Sequence, residues 1–494
     1  MSTDDTQEAK PLRGLDRISY ALIWLFGWIL ALLPTAVSQG LCELVGAAVW
    51  RFSGRRRTIL SQLERAFPER SLDWRCNIGR RHCARMIEMF LLIVVLRHWP
   101  EGVVRQRFRI GESLQKILEQ HGGKRPIFFA IPHSALMESL TLIPLLATNC
   151  PPIITLYRPL DSAGAERYVN EARERWGADL VARREGLLKA KNLLTQENGI
   201  VGVLFDQSPG ALGHLLLFFN RVCTATNLPG LLIVKSKALP VFLHTRREGF
   251  WRGTIQGEVL PESGSVPECV TTINRALEEH LSIDDEACAN WLWAHKRWKG
   301  PQREPLSFHH RKSYLAEQMQ MLGLNTMPRR TRVALRLSPR AEILPTARRL
   351  LHIIRLQRPD AVFWLLMPES LALAEWPELD HSVILPTDRK ARRAELAQLR
   401  ALSFDLLFSL DPELDAVKEN RSLKPQTSAG VVLRGSRRAY SQTATIAPES
   451  YLQDPWSPWG ELLPALGLPP EVLTEIEQNT AVPFPPSPVD PDFR

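Results

Sequence analysis

Residues 125–140 read RPIFFAIPHSALMESL, and this stretch decides the fold. Ile127–Ile131 is an apolar run of the length of a buried strand, and Pro132 ends it. His133 and Ser134 follow, and then 135–140, mostly good helix formers. The pattern is strand, tight turn, helix: an α/β unit with His133 at the turn and Glu138 early in the helix. Five residues along one helix rotate the chain by about 500°, so the two side chains meet only if His133 precedes the first turn. In that arrangement Glu138 is expected to reach back to the imidazole, fix its tautomer and stabilise the imidazolium. The other ring nitrogen is then free to deprotonate a hydroxyl, a task that an ordinary imidazole pKa of about 6.5 suits.

Working outward, a second buried-strand run, IVGVLF at 200–205, ends in Asp206 and Gln207. Open α/β sheets place their ligands at the carboxyl ends of strands, where His133 and this pair both fall. Between the two runs, 152–156 reads as a strand with Arg158 just beyond it. A helix over 163–176 and a short strand over 179–181 follow, the latter leading into Arg183, Arg184 and Gly186. Arginine suits phosphate because its planar fork binds two oxygens at once. Downstream come Phe218-Phe219-Asn220 with Thr224 and Thr226, then Leu239-Pro240-Val241-Phe242, and a tryptophan- and cation-rich block, WLWAHKRWK, at 291–299.

Taken in order, these motifs resemble the late acyltransferases of lipid A biosynthesis, within the lysophospholipid acyltransferase superfamily. That family shows His-x4-Asp/Glu, Arg with a downstream Gly, Asp-Gln-x-x-Gly, Phe-Phe-Gly with a Thr, and a closing block of the Trp-x-His-Lys/Arg-Arg type. The likeness runs over about residues 15–300. Asn220 departs from it where Gly is usual, and Ser208-Pro209 departs after Asp-Gln. The resemblance implies a membrane-associated acyltransferase that moves a fatty acyl chain from acyl-acyl carrier protein or acyl-CoA to a hydroxyl of a lipid A precursor or related glycolipid. His133 would be the general base with Glu138. Arg158, Arg183, Arg184, Asp206, Gln207 and Arg297 would bind substrate. No metal is implied, and no cofactor beyond the acyl donor as co-substrate. A glycerophospholipid or other lipid acceptor, and a non-catalytic envelope glycolipid-binding scaffold, are the alternative readings.

The net charge of +9 favours anionic partners, among them phospholipid headgroups, lipid A phosphates and acyl carrier protein, and no nucleic-acid motif is present. Seven scattered cysteines without a CxxC pair point to reduced thiols on the cytosolic side. Residues 18–42 carry 25 uncharged positions in a row between Arg17 and Glu43, enough as one helix to cross a bilayer core of about 30 Å, although Pro34 breaks the run. Arg51, Arg55, Arg56 and Arg57 follow. The expected anchor is one tilted span or a helical pair entering one leaflet, on the cytoplasmic face of the inner membrane. A cleaved signal peptide or a buried core helix are its alternatives.

After Gly300 the composition changes, and βαβ rhythm returns with strands expected at 331–337, 361–366, 383–385 and 404–410. Arg336-Leu337-Ser338 resembles the opening motif of heptosyltransferase-type glycosyltransferases, but Ala341 and Glu342 stand where that family has Gly and Asp. The sequence is therefore α/β throughout: a membrane-anchored, lysophospholipid-acyltransferase-like α/β domain followed by a single Rossmann-like α/β domain. The expected bounds are a tail and anchor at 1–57, the acyltransferase at 58–300, a linker at 301–326, and a degenerate glycosyltransferase-like half with a proline-rich tail at 327–494.

Overall fold

The computed structural model describes residues 14–209, 213–298, 311–371, 379–433, 440–468, 471 and 473–474. The first thirteen residues, residues 301–310 of the expected linker and the proline-rich tail lie outside them. The chain forms two compact units. The first comprises Met1–Ile59, Leu72–Gln207 and Asn227–His295; the second comprises Leu60–Ser71, Ser208–Thr226 and Lys296–Arg494. The last division, between His295 and Lys296, falls five residues before the expected one at 300, and two internal segments of the first 300 residues are grouped with the second unit.

The first unit is built on a seven-stranded sheet of β1 (Phe108–Ile110), β2 (Ile127–Ile131), β3 (Ile153–Tyr157), β4 (Asp179–Ala182), β5 (Ile200–Leu204), β8 (Leu239–Gly249) and β9 (Arg252–Val259). The intervening hairpin, β6 (His214–Phe218) and β7 (Arg221–Ala225), lies in the second unit. The sheet order is β1-β9-β8-β2-β5-β3-β4, parallel except for the β8–β9 pair. All five residues of β2 are buried, as its unbroken apolar run requires of a central parallel strand. From β2 the chain fills β3, β4 and β5 on one side, then crosses to β8 on the other. The order therefore reverses at β2, which makes its carboxyl end a switch-point crevice.

At the N-terminus, Pro34 breaks the apolar run into two helices, Leu15–Leu32 and Thr35–Phe52, so residues 18–42 are not one continuous helix. The second packs on the helix Leu72–Leu96 at close range. A Cβ on Gly46 would lie 2.7 Å from the Ala84 backbone, and one on Gly79 would lie 2.4 Å from the Trp50 ring. The first helix is held by Tyr20, whose hydroxyl donates to Glu171 at 2.6 Å, and by a contact at Gly164 too close for any side chain. Its remaining surface exposes Leu22, Leu25, Phe26, Trp28, Ile29 and Leu32. Among the described residues it is the one helix long and apolar enough to cross a membrane.

The second unit holds a six-stranded parallel sheet: β10 (Thr331–Arg336), β11 (Ala361–Pro368), β12 (His381–Leu385), β13 (Leu406–Ser409), β14 (Thr427–Leu433) and β15 (Gln442–Ile446). Its order, β12-β11-β10-β13-β14-β15, is that of the doubly wound dinucleotide-binding class. The last two strands were not expected from the sequence. A helix, Arg311–Leu322, also occupies part of the expected linker. The β6–β7 turn has φ of 49° at Phe219 and 56° at Asn220, so both central residues are left-handed, as a two-residue hairpin requires. Asparagine tolerates that backbone, so Asn220 does the work of the family's glycine.

Candidate functional site

Sheet register brings the site together. Ile131 on β2 pairs with Leu204 on β5. Two residues further along each strand lie His133 and Asp206, and their side chains meet. His133 Nδ1 is 2.5 Å from Asp206 Oδ1, and the His133 backbone N–H donates to Asp206 Oδ2 at 2.9 Å. The indole Nε1–H of Trp291 donates to the same Oδ2 at 2.5 Å. Asp206 is only 2% exposed. Burial pushes its carboxyl up, but the neighbouring His133 and the hydrogen bonds donated by His133 and Trp291 outweigh it and hold Asp206 below the usual carboxylate value. An ionised Asp206 puts the imidazole proton on Nδ1 and leaves Nε2 as the basic atom. Gln207 Nε2 stands 3.3 Å from it. The His133 side chain is 15% exposed, so the imidazole is reachable from solvent while its carboxylate is not.

The expected role of Glu138 is corrected. Residues 137–142 form a 3-10 helix, and Glu138 turns away to accept a two-pronged fork from Arg173, at 2.8 Å from Nε and 2.6 Å from Nη2. Arg173 belongs to the helix Ala163–Glu174. Glu138 is nearly as buried as Asp206, and its carboxylate is engaged by guanidinium rather than imidazole. The carboxylate that sequence proximity assigned to His133 is therefore supplied by Asp206, across the sheet.

The other expected residues divide. Arg158 follows the carboxyl end of β3 and is exposed. The side chains of Arg183 and Arg184 lie outside the described residues, although their backbone opens the helix Arg183–Gln196. Arg297 does not fit a substrate-binding role. It is 0% exposed, donates to the Thr224 carbonyl at 2.5 Å, and lies over the Phe218 ring in the second unit. Trp291 was not singled out as a site residue; the tryptophan-rich block was the available signal. The residues around it zip onto the His133 turn, with Leu292 N–H donating to the His133 carbonyl at 3.2 Å and Ala135 N–H to the Asn290 carbonyl at 2.9 Å.

A histidine whose Nδ1 meets a buried carboxylate, just beyond a central strand of an α/β sheet, is an arrangement that can take a proton from a hydroxyl. The profile of the bacterial lipid A biosynthesis acyltransferase family matches residues 8–300, more than half of the chain. The chain belongs to that family and is an acyltransferase whose acceptor is a lipid. No curated protein matches it.

Proposed function

We propose that the protein transfers a fatty acyl group from acyl-acyl carrier protein or acyl-CoA to a hydroxyl of a lipid A precursor or related glycolipid. The observation that carries this reading is the His133–Asp206 pair. His133 Nε2 takes the acceptor's hydroxyl proton as the oxygen attacks the thioester carbonyl. The tetrahedral oxyanion collapses, the C–S bond breaks, and the imidazolium returns its proton to the departing thiolate. Asp206 stays ionised and steadies the imidazolium. The Ala135 amide is taken by Asn290, so Gln207, whose Nε2 stands beside His133 Nε2, is the donor we assign to the oxyanion.

The exposed apolar side of Leu15–Leu32, followed by Arg51 and Arg55 to Arg57, supports an anchor on the cytoplasmic face of the inner membrane. In the second unit, Arg336 of the glycosyltransferase-like motif is consumed by Glu419, at 2.6 Å, and Asp411, at 3.4 Å. That neutralisation favours a binding or scaffolding role for this unit over sugar transfer.

The test presents the full-length protein, in detergent micelles, with labelled acyl-acyl carrier protein or acyl-CoA and either a lipid A precursor or a lysophospholipid. Mass spectrometry identifies the product. Acylated lipid A precursor is the expected product; acylation of the lysophospholipid alone would overturn the acceptor assignment, and no product from any pairing would leave the scaffold reading.

A further inference from the structure

On the side of β2 opposite Asp206, a cavity of about 210 Å³ opens against the same turn. Ala130 pairs with Phe242 on β8, so Pro132 and His244 come side by side two residues further on, and both line the cavity. It thus lies beyond the carboxyl end of β2, beside the second half of its parallel neighbour β8. Its volume far exceeds the about 10–15 Å³ that one water needs.

Three of the residues that line it each carry a buried polar atom with no hydrogen-bond partner among the described residues: Ser134 Oγ, Asn290 Oδ1 and His244 Nδ1. Ser134 and Asn290 are each 8% exposed. Native proteins rarely leave such groups unpaired, because each costs free energy unless something fills its place. Of the charged residues in the wall, Asp284 accepts the Ala287 N–H at 2.7 Å as a helix cap, and the arginines and Glu286 are in ion pairs. Arg247 is held by Glu88 at 3.1 Å and Glu286 at 3.3 Å, and Arg246 by Glu248 at 3.1 Å. Leu277, Leu281 and Ile283 supply the apolar side. The cavity therefore suits a neutral guest with an apolar body that offers both hydrogen-bond donors and acceptors.

We infer that this cavity receives the pantetheine arm of the acyl donor, its amide N–H groups facing Asn290 Oδ1 and its carbonyl oxygens facing the Ser134 hydroxyl. The inference rests on the thioester-donor reading above. A pantetheine arm is uncharged, carries two secondary amides and a gem-dimethyl group, and ends in the sulfur that holds the acyl chain. Entry beside Pro132 and Ser134 brings that sulfur to the His133 turn. Carrier protein and coenzyme A share this arm, so the cavity serves either donor.

The test uses the full-length protein with four donors of one acyl chain: acyl-pantetheine, acyl-N-acetylcysteamine, acyl-CoA and acyl-acyl carrier protein. Acyl-pantetheine is expected to have the lower KM of the two small donors. Ser134→Ala and Asn290→Ala are each expected to raise KM for acyl-pantetheine about threefold to tenfold, the worth of one net hydrogen bond, with the effect on KM rather than kcat. The cavity-filling Ala287→Phe is expected to raise KM for acyl-CoA and acyl-acyl carrier protein alike, with the melting temperature confirming a folded protein. Equal KM values for the two small donors, or variants that alter acyl-CoA alone, would overturn the assignment. If the wild type transfers no acyl group, free pantetheine serves as the probe. A thermal shift lost in Ala287→Phe would keep the site while the enzymatic reading falls; no shift would overturn the site as well.

Discussion

Glu138 and Asp206 show how far a single residue can be read. Both carboxylates stand out in the sequence, but which one meets the histidine does not. His-x4-Glu is close in sequence, whereas the His133–Asp206 contact is created by the β2–β5 register, a long-range pairing that no local pattern encodes. The two carboxylates accordingly have separable roles. Glu138→Gln breaks the buried fork and strands the Arg173 guanidinium, a loss of about 3–5 kcal/mol in stability measured by denaturant unfolding. The fraction that remains folded is expected to retain its turnover. Trp291→Phe removes one of the donors to Asp206 and puts a smaller ring in a buried place. A hydrogen bond to a charged group contributes about 1.5–3 kcal/mol, so the melting temperature is expected to fall, and kcat of the folded fraction is expected to fall about tenfold to a hundredfold. Unchanged kcat would show that the indole bond does not position Asp206.

At the scale of elements, the strands around the site were legible because central parallel strands read as unbroken apolar runs; β2 has the expected bounds, and β3 and β5 differ by a residue. The strands β14 and β15 escaped because Thr427, Ser428, Thr443 and Thr445 dilute their apolar signal. The allocation of the β6–β7 hairpin to the second unit was equally hidden. There Arg221 donates to Asp405 at 2.6 Å, and Arg65 binds the same carboxylate at 2.9 Å, contacts that join residues far apart in the chain. The N-terminal helix is the element whose chemistry points outward. Replacing Leu22, Leu25 and Ile29 together by Gln removes apolar surface that contacts solvent, and is expected to move the protein from the membrane fraction to the supernatant after cell lysis. Continued sedimentation with membranes would exclude this helix as the principal anchor.

For the molecule as a whole, buried histidines make stability depend on pH. Burial pushes His82 down to about 4, and His280 also to about 4. In the unfolded chain each titrates near 6.5, so between about 6.5 and 4 the unfolded state binds more protons. Stability therefore falls as pH falls through that window. For His82 the full loss is about 3 kcal/mol, reached below its folded pKa. Asp206, held low, adds its own loss only at more acidic pH, below its ordinary carboxylate value. The urea midpoint is expected to be lower at pH 5 than at pH 7.5; equal midpoints would mean that these imidazoles are not buried as neutral groups.

The central claim is that His133 acts as general base with Asp206, not Glu138, as its carboxylate partner. Its most direct test is the rate of acyl transfer from acyl-acyl carrier protein to a lipid A precursor by wild type, Asp206→Asn and Glu138→Gln, each corrected for its folded fraction. Asparagine keeps the shape of Asp206 but permits the wrong imidazole tautomer, so kcat is expected to fall about 10³–10⁴-fold. Glu138→Gln is expected to stay within about threefold of wild type. A full rate with Asp206→Asn, or a comparable collapse in folded Glu138→Gln, would contradict the account.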